Sequence, residues 1–314
     1  MKLSYYGYSF TEKKNNVKKG MSIKEFIKNF CKYNDPTYKN TFRHNNEHIF
    51  LLPATGDLYL FIETRNNEII KKINANDTTV SEIIDSLNQG EMIGFASYVY
   101  ISDSYLGFAS TSMAPRIHTF GNFIDEIFVS LNITDHEFTI IPFLIQSTRA
   151  DAMAMPFIGR STIQINKSNK LFDDLVQGFC GKAEEFEEVE SFEIILKPRN
   201  RKDISKAAKR ILNSIPDEGI EKLILKAKDD LHPVLIDLYL AGKGLLSDNI
   251  NIKDEHEIAT TFRDKIQANP LLSEKVNAHE QDESIKKETI ASIDHFRNLD
   301  AWSNSLLDLH NLSQ

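Results

Sequence analysis

"HIFLLPATGDLYLFIET", residues 48–64, decides the fold. Two apolar runs rich in Leu, Ile, Phe and Tyr flank a short stretch containing Pro53 and Gly56. The pattern predicts two strands joined by a turn at Ala54–Asp57. So short a connection joins only antiparallel neighbours.

Working outward, "MIGFASYVYI" (92–101) and "YLGFASTSM" (105–113) read as two more strands, and "KLSYYGYSF" (2–10) as the first. Further strands are expected at 137–145, 157–166 and 190–197. Helices punctuate them. "SIKEFIKNFCKY" (22–33) carries Ser22 and Glu25 at capping-box spacing, with Ile23, Phe26, Ile27, Phe30 and Cys31 on one face. "TTVSEIIDSLNQG" (78–90) reads the same way through Thr79 and Glu82, with Gly90 as its stop. Phe120, Phe123, Ile124, Ile127 and Phe128 mark another helix, and one more is expected at 168–179. The expected class is α+β, a mainly antiparallel sheet flanked by helices with a helical C-terminal part.

Beyond about residue 231 the strand signal stops. "HPVLIDLYLAGKG" (232–244), "EHEIATTFRDKIQA" (255–268) and "SIKKETIASIDHFRNLDAWSNSLLDLHNL" (284–312) all read as helical. The expected division is an α+β core over 1–230, holding a basic helix at 201–213, and a helical region over 231–314. Pro216 and Gly219 make 213–221 the hinge candidate. Trp302 with Leu306, Leu307 and Leu309 reads as core of the helical region, or else as a stripe facing a partner.

The 314 residues, 41% hydrophobic and 26% charged, can bury a large core. Two cysteines, Cys31 and Cys180, leave no disulfide framework and point to a reducing cytoplasm. The N-terminus lacks the apolar stretch of a signal peptide, and "IIPFLI" (140–145) is too short to span a bilayer. Any membrane role is expected to run through a partner.

Charge is unevenly spread. "KPRNRKDISKAAKR" (197–210) holds seven Lys/Arg and one Asp, a local +6 in a chain of net −8, which leaves −14 for the rest. Asn200 or Asp203 can cap a helix here. Ile204, Ala207, Ala208, Ile211 and Leu212 then share one side, and Lys202, Lys206, Lys209 and Arg210 the other, with Lys197, Arg199 and Arg201 just before. A solvated charged face would interleave acids, and this one does not. The expected partner is a polyanion, met through phosphates rather than base edges.

Other chemistry is thin. "FIGRST" (157–162) lacks the G-x-x-x-x-G-K-[ST] phosphate loop, so Gly159 and Arg160 read as a strand irregularity beside a surface charge. No G-x-G-x-x-G, H-E-x-x-H or G-x-S-x-G occurs, and the nine histidines lack ligand spacing, so neither cofactor nor metal is expected. Asp57, Glu63 and Arg65, and separately Asp229, Asp230 and His232, read as surface turns and caps. The alternative is the carboxylate site of a metal-dependent nuclease.

Collinear blocks carry a family resemblance. "FEIILKPRNRKDISKAAKRI" (192–211), "KAKDD" (226–230) and "YLAGKGLLS" (239–247) resemble the C-terminal half of the RexA proteins of lambdoid phages. "LYLFIETRNNEIIKKIN" (58–74), "IGFASYVYISDSYLGFAS" (93–110) and "MPFIGRSTIQI" (155–165) are similar in order and spacing. The chain also resembles the KwaB subunit of the Kiwa antiphage system. The resemblance covers about residues 1–250. It implies a homodimeric, sequence-tolerant binder of double-stranded DNA, non-enzymatic, acting in phage exclusion or abortive infection. It further implies a small membrane-protein partner encoded nearby, which could recruit an otherwise cytoplasmic protein to the inner membrane. The matched DNA-contact positions are Lys197, Arg199, Arg201, Lys202, Lys206 and Lys209, with Lys226, Lys228 and Arg160. The alternatives are a nuclease, or a basic module for acidic protein or lipid.

Overall fold

A computed structural model describes residues 1–65, 71–73, 80–82, 87–181, 188–199, 202–228, 235–251 and 257–312. The chain is α+β and forms two units, Met1–Phe143 with Leu246–Gln314, and Leu144–Leu245. The expected boundary lay near residue 230.

The first unit is built on a ten-stranded sheet. Its axis is Lys2–Glu12, where Leu3, Tyr5 and Phe10 are buried. That strand pairs antiparallel with Tyr105–Ser110, Val17–Gly20, His136–Pro142 and Ser247–Asn249. The 48–64 hairpin forms as expected. Glu47–Thr55 and Leu58–Thr64 pair antiparallel, and Gly56 takes the positive φ (58°) that the turn requires. One edge is parallel: Ile285–Lys287 lies beside Val17–Gly20.

Helix Ile117–Ser130 lays Phe120, Phe123, Ile124, Ile127 and Phe128 into the core, where Phe120 meets Phe61 edge-on at 5.3 Å. Helix Lys24–Lys32 adds Phe26 and Phe30. The Ser22–Glu25 capping box does not form. Ser22 donates its hydroxyl to Asp103 instead, and Glu25 pairs with Lys28. Trp302, on helix Leu299–Leu312, is fully buried against Phe26, Phe30 and Phe296, and its indole N–H donates to the Phe296 carbonyl. Leu306 is buried too and Leu307 is exposed, so Trp302 is core.

Two expectations are corrected. Val80–Glu82 forms a strand paired with Lys71–Ile73, where a helix over 78–90 was expected; Thr79 and residues 83–86 lie outside the described residues. A partner strand in reach outweighs a local helical pattern. The C-terminal third is not purely helical either. Ile236–Ala241, Gly244–Leu245, Ser247–Asn249 and Ile285–Lys287 are strands. "LIDLYL" satisfies period two as well as a helical stripe, and pairing with Ile220–Lys228 decides it.

The turn at 213–221 lies inside the second unit. Gly219 has φ +72°, and a Cβ there would stand 2.4 Å from the Asn169 nitrogen. Asn169 donates to the Glu218 carbonyl at 2.7 Å, and Arg149 donates to the Leu212 and Ile215 carbonyls and pairs with Asp217. It is an anchored turn within one unit rather than a joint between two.

Candidate nucleic-acid interface

The second unit has a four-stranded antiparallel sheet in the order Ser191–Leu196, Phe157–Asn166, Ile220–Lys228, Ile236–Ala241. Ile158, Ile163, Ile165, Leu223, Leu225, Ala227 and Leu238 are buried on one face. Helix Lys170–Cys180 covers it with Phe172 and Val176, and helix Ser205–Ser214 with Ala208 and Leu212. Alternation then sends the intervening residues to the opposite face. Register places Arg160 across from Lys226, and Lys226 across from Asp237, in one row over three strands.

The basic helix begins at Ser205, four residues later than expected. Asp203 stops its earlier extension. Its Oδ1 accepts from the Ser205 backbone N–H at 2.9 Å and from the Ser205 hydroxyl at 2.5 Å. These bonds, with Lys206 and Lys209 nearby, hold the Asp203 carboxyl below its ordinary range. Lys202 therefore precedes the helix and is exposed, as are Lys206 and Arg210, while Lys209 is half-buried. Ala207 faces outward, not into the core. Arg201 lies outside the described residues. Among the described residues, no carboxylate stands within 4.0 Å of the Lys202, Lys206, Lys209 or Arg210 side chains.

The Ile204 N–H donates to the Ile158 carbonyl at 2.8 Å, so the helix starts at one end of the sheet. Lys197 follows Leu196, the partner of Ser161, at that same end. Lys228 pairs with Phe157 there and sets its ammonium 4.7 Å from the ring centroid. Arg160, Lys197, Arg199, Lys202, Lys206, Lys226 and Lys228 thus form a collar around one sheet end. Lys209 and Arg210 continue it along the helix side. The described members of the expected set lie at one sheet end, but around two faces rather than on one helical stripe. Arg160 sits at a register shift after Ile158, the irregularity expected for Gly159–Arg160, and its buried Nε has no hydrogen-bond partner among the described residues. Sequence reasoning missed Asp237, which faces Lys226 at 3.2 Å. The period-two alternation of "LIDLYL" was the signal that could have found it.

The second unit contains 16 Lys/Arg and 16 Asp/Glu, so the chain's net −8 lies wholly in the first. Of the nuclease candidates, Asp57 and Glu63 do not come together. Asp57 pairs with Lys24 at 3.0 Å at one end of strand Leu58–Thr64. Glu63, buried at the other end, is held by His44 at 2.8 Å and Arg65 at 2.9 Å. Asp229, Asp230 and His232 lie outside the described residues. Among the described residues no group of three His, Cys, Asp or Glu could hold a metal, and no helix is long and apolar enough to cross a membrane.

Fold and collar define an α+β protein with a sheet-end surface suited to anions. Comparison with known proteins makes the class specific. The family model described as "RexA: Intracellular sensor of Lambda phage, Abi component" matches residues 1–233. The rexA proteins of Escherichia phage lambda and Enterobacteria phage 434 are each 27% identical over 259 residues, 82% of this chain and 90% of theirs. The chain belongs to the RexA family, and its role is in phage exclusion, a form of antiphage defence.

Proposed function

We propose that the chain is a non-catalytic binder of double-stranded DNA that acts as an intracellular sensor in phage exclusion. The observation that carries this reading is the collar. Seven cationic side chains at one sheet end, within an acidic protein, suit a phosphate backbone. Contact through phosphates is expected to be sequence-tolerant. The protein works as a homodimer, in which two collars lengthen a short footprint. A small membrane protein, encoded nearby, receives the signal and brings the complex to the inner membrane.

A duplex-binding assay with shuffled competitor DNA tests the core of this. Wild-type protein should bind both duplexes alike, and K226Q/K228Q should bind neither well. Equal binding by wild type and variant would remove the collar, and Mg²⁺-dependent nicking would favour the nuclease reading. Ultracentrifugation showing only monomer with and without DNA would remove the dimer.

A further inference from the structure

Asp237 completes a cross-strand row that begins with two cations. In the cross-strand row, Arg160 and Lys226 are adjacent cations, and the third member is a carboxylate. Its Oδ1 is 3.2 Å from Lys226 Nζ, yet buried and off the axis of a good hydrogen bond, so the contact is coulombic. Side-chain exposure is 45% for Lys226 and 27% for Asp237: the lysine can be reached while the acid is held in place. The next row belongs to the buried face, with Leu225 between Ser161 and Leu238, and it fixes the spacing of all three strands. Among the described residues, Arg160 keeps a buried Nε with no hydrogen-bond partner, and Asp237 pairs with Lys226 and makes no ion pair with Arg160.

We propose that Asp237 is a built-in counterion that competes with DNA phosphate for Lys226 and thereby limits affinity. This rests on the DNA-binding reading and adds to it an internal competitor. When a phosphate enters between Arg160 and Lys226, the Lys226–Asp237 contact must break. The protein thus binds DNA less tightly than its cations allow, which suits a sensor that must stay unoccupied at background DNA exposure.

The experiment compares wild type, D237N, D237S, D173N and K226Q, with and without D237N, by fluorescence anisotropy on one labelled duplex over a salt series. Asp173 is an exposed acid of the same unit on the covering helix, so D173N controls for net charge. D237N and D237S should bind about two- to five-fold more tightly at low salt, the scale of one exposed ion pair. Their log–log salt slope should stay that of wild type, since the same phosphates are contacted and only the competing contact is removed. D173N should not tighten binding, and the gain should vanish in the K226Q background. If wild type binds but D237N and D237S bind no more tightly, or D173N matches them, the competitor is overturned and the DNA reading stands. If no form binds, both fall.

Discussion

The Ile204 backbone N–H docks on the Ile158 carbonyl at 2.8 Å, and this bond ties the basic helix to the sheet. It brings the collar's four elements to one end of the sheet, on both of its faces. Single neutralisations around it should therefore act alike, whichever face they sit on. K206Q and K228Q are each expected to reduce the magnitude of the salt slope by about one, weakening shuffled and unshuffled duplexes equally. An effect confined to K206Q would reduce the collar to a helical stripe.

Glu63 and Asp57 are separated by their surroundings. Asp57 makes an exposed pair with Lys24, so D57A is expected to cost less than about 1 kcal/mol. Glu63 is buried between His44 and Arg65, each about a quarter exposed and able to reach water. E63A should cost about 1–3 kcal/mol, below the full penalty for breaking a buried pair. Urea unfolding checks both, and DNA affinity should change in neither. Loss of a metal-dependent cleavage activity in the two variants would contradict this.

Trp302 closes the core over Phe26 and Phe30. W302A is expected to destabilise by about 3–5 kcal/mol, and L307A by less than about 0.5 kcal/mol. Comparable small effects would return the stripe to the partner-facing reading.

Asp125 gives a pH dependence. Burial pushes its carboxyl up to about 6, against the lowering effect of the Phe138 N–H, which donates to it at 2.7 Å. A carboxyl raised on folding favours the protonated native state. Its contribution is fully present below pH about 4 and is lost as pH rises through about 6. D125N should be more stable than wild type above pH 6, by about 1 kcal/mol after solvent screening, with the difference closing at pH 4. A constant difference across that range would assign the effect to packing.

Much of this was legible along the chain. Strand Phe157–Asn166 and helix Ile117–Ser130 announce themselves because core contact imposes their periods directly on the sequence. The start of the basic helix was misplaced because Asn200 and Asp203 are both plausible caps, and only the bonds to Ser205 choose between chain positions. Val80–Glu82 and Ile236–Ala241 carry a helical pattern too, because short apolar runs fit either period, and the deciding partner strand is elsewhere in the chain. The basic residues were visible as composition. Their collar was not, since Arg160, Lys226 and Asp237 meet through the register of three strands distant in sequence.

The most direct test of the central claim is the affinity for a generic linear duplex as a function of salt. With about four to seven phosphates neutralised per chain, log affinity should fall linearly with log salt at a slope of roughly −4 to −6. Shuffling the duplex sequence should leave the line unmoved. A slope near zero, or strong preference for one sequence, would contradict the claim that the collar tracks the phosphate backbone.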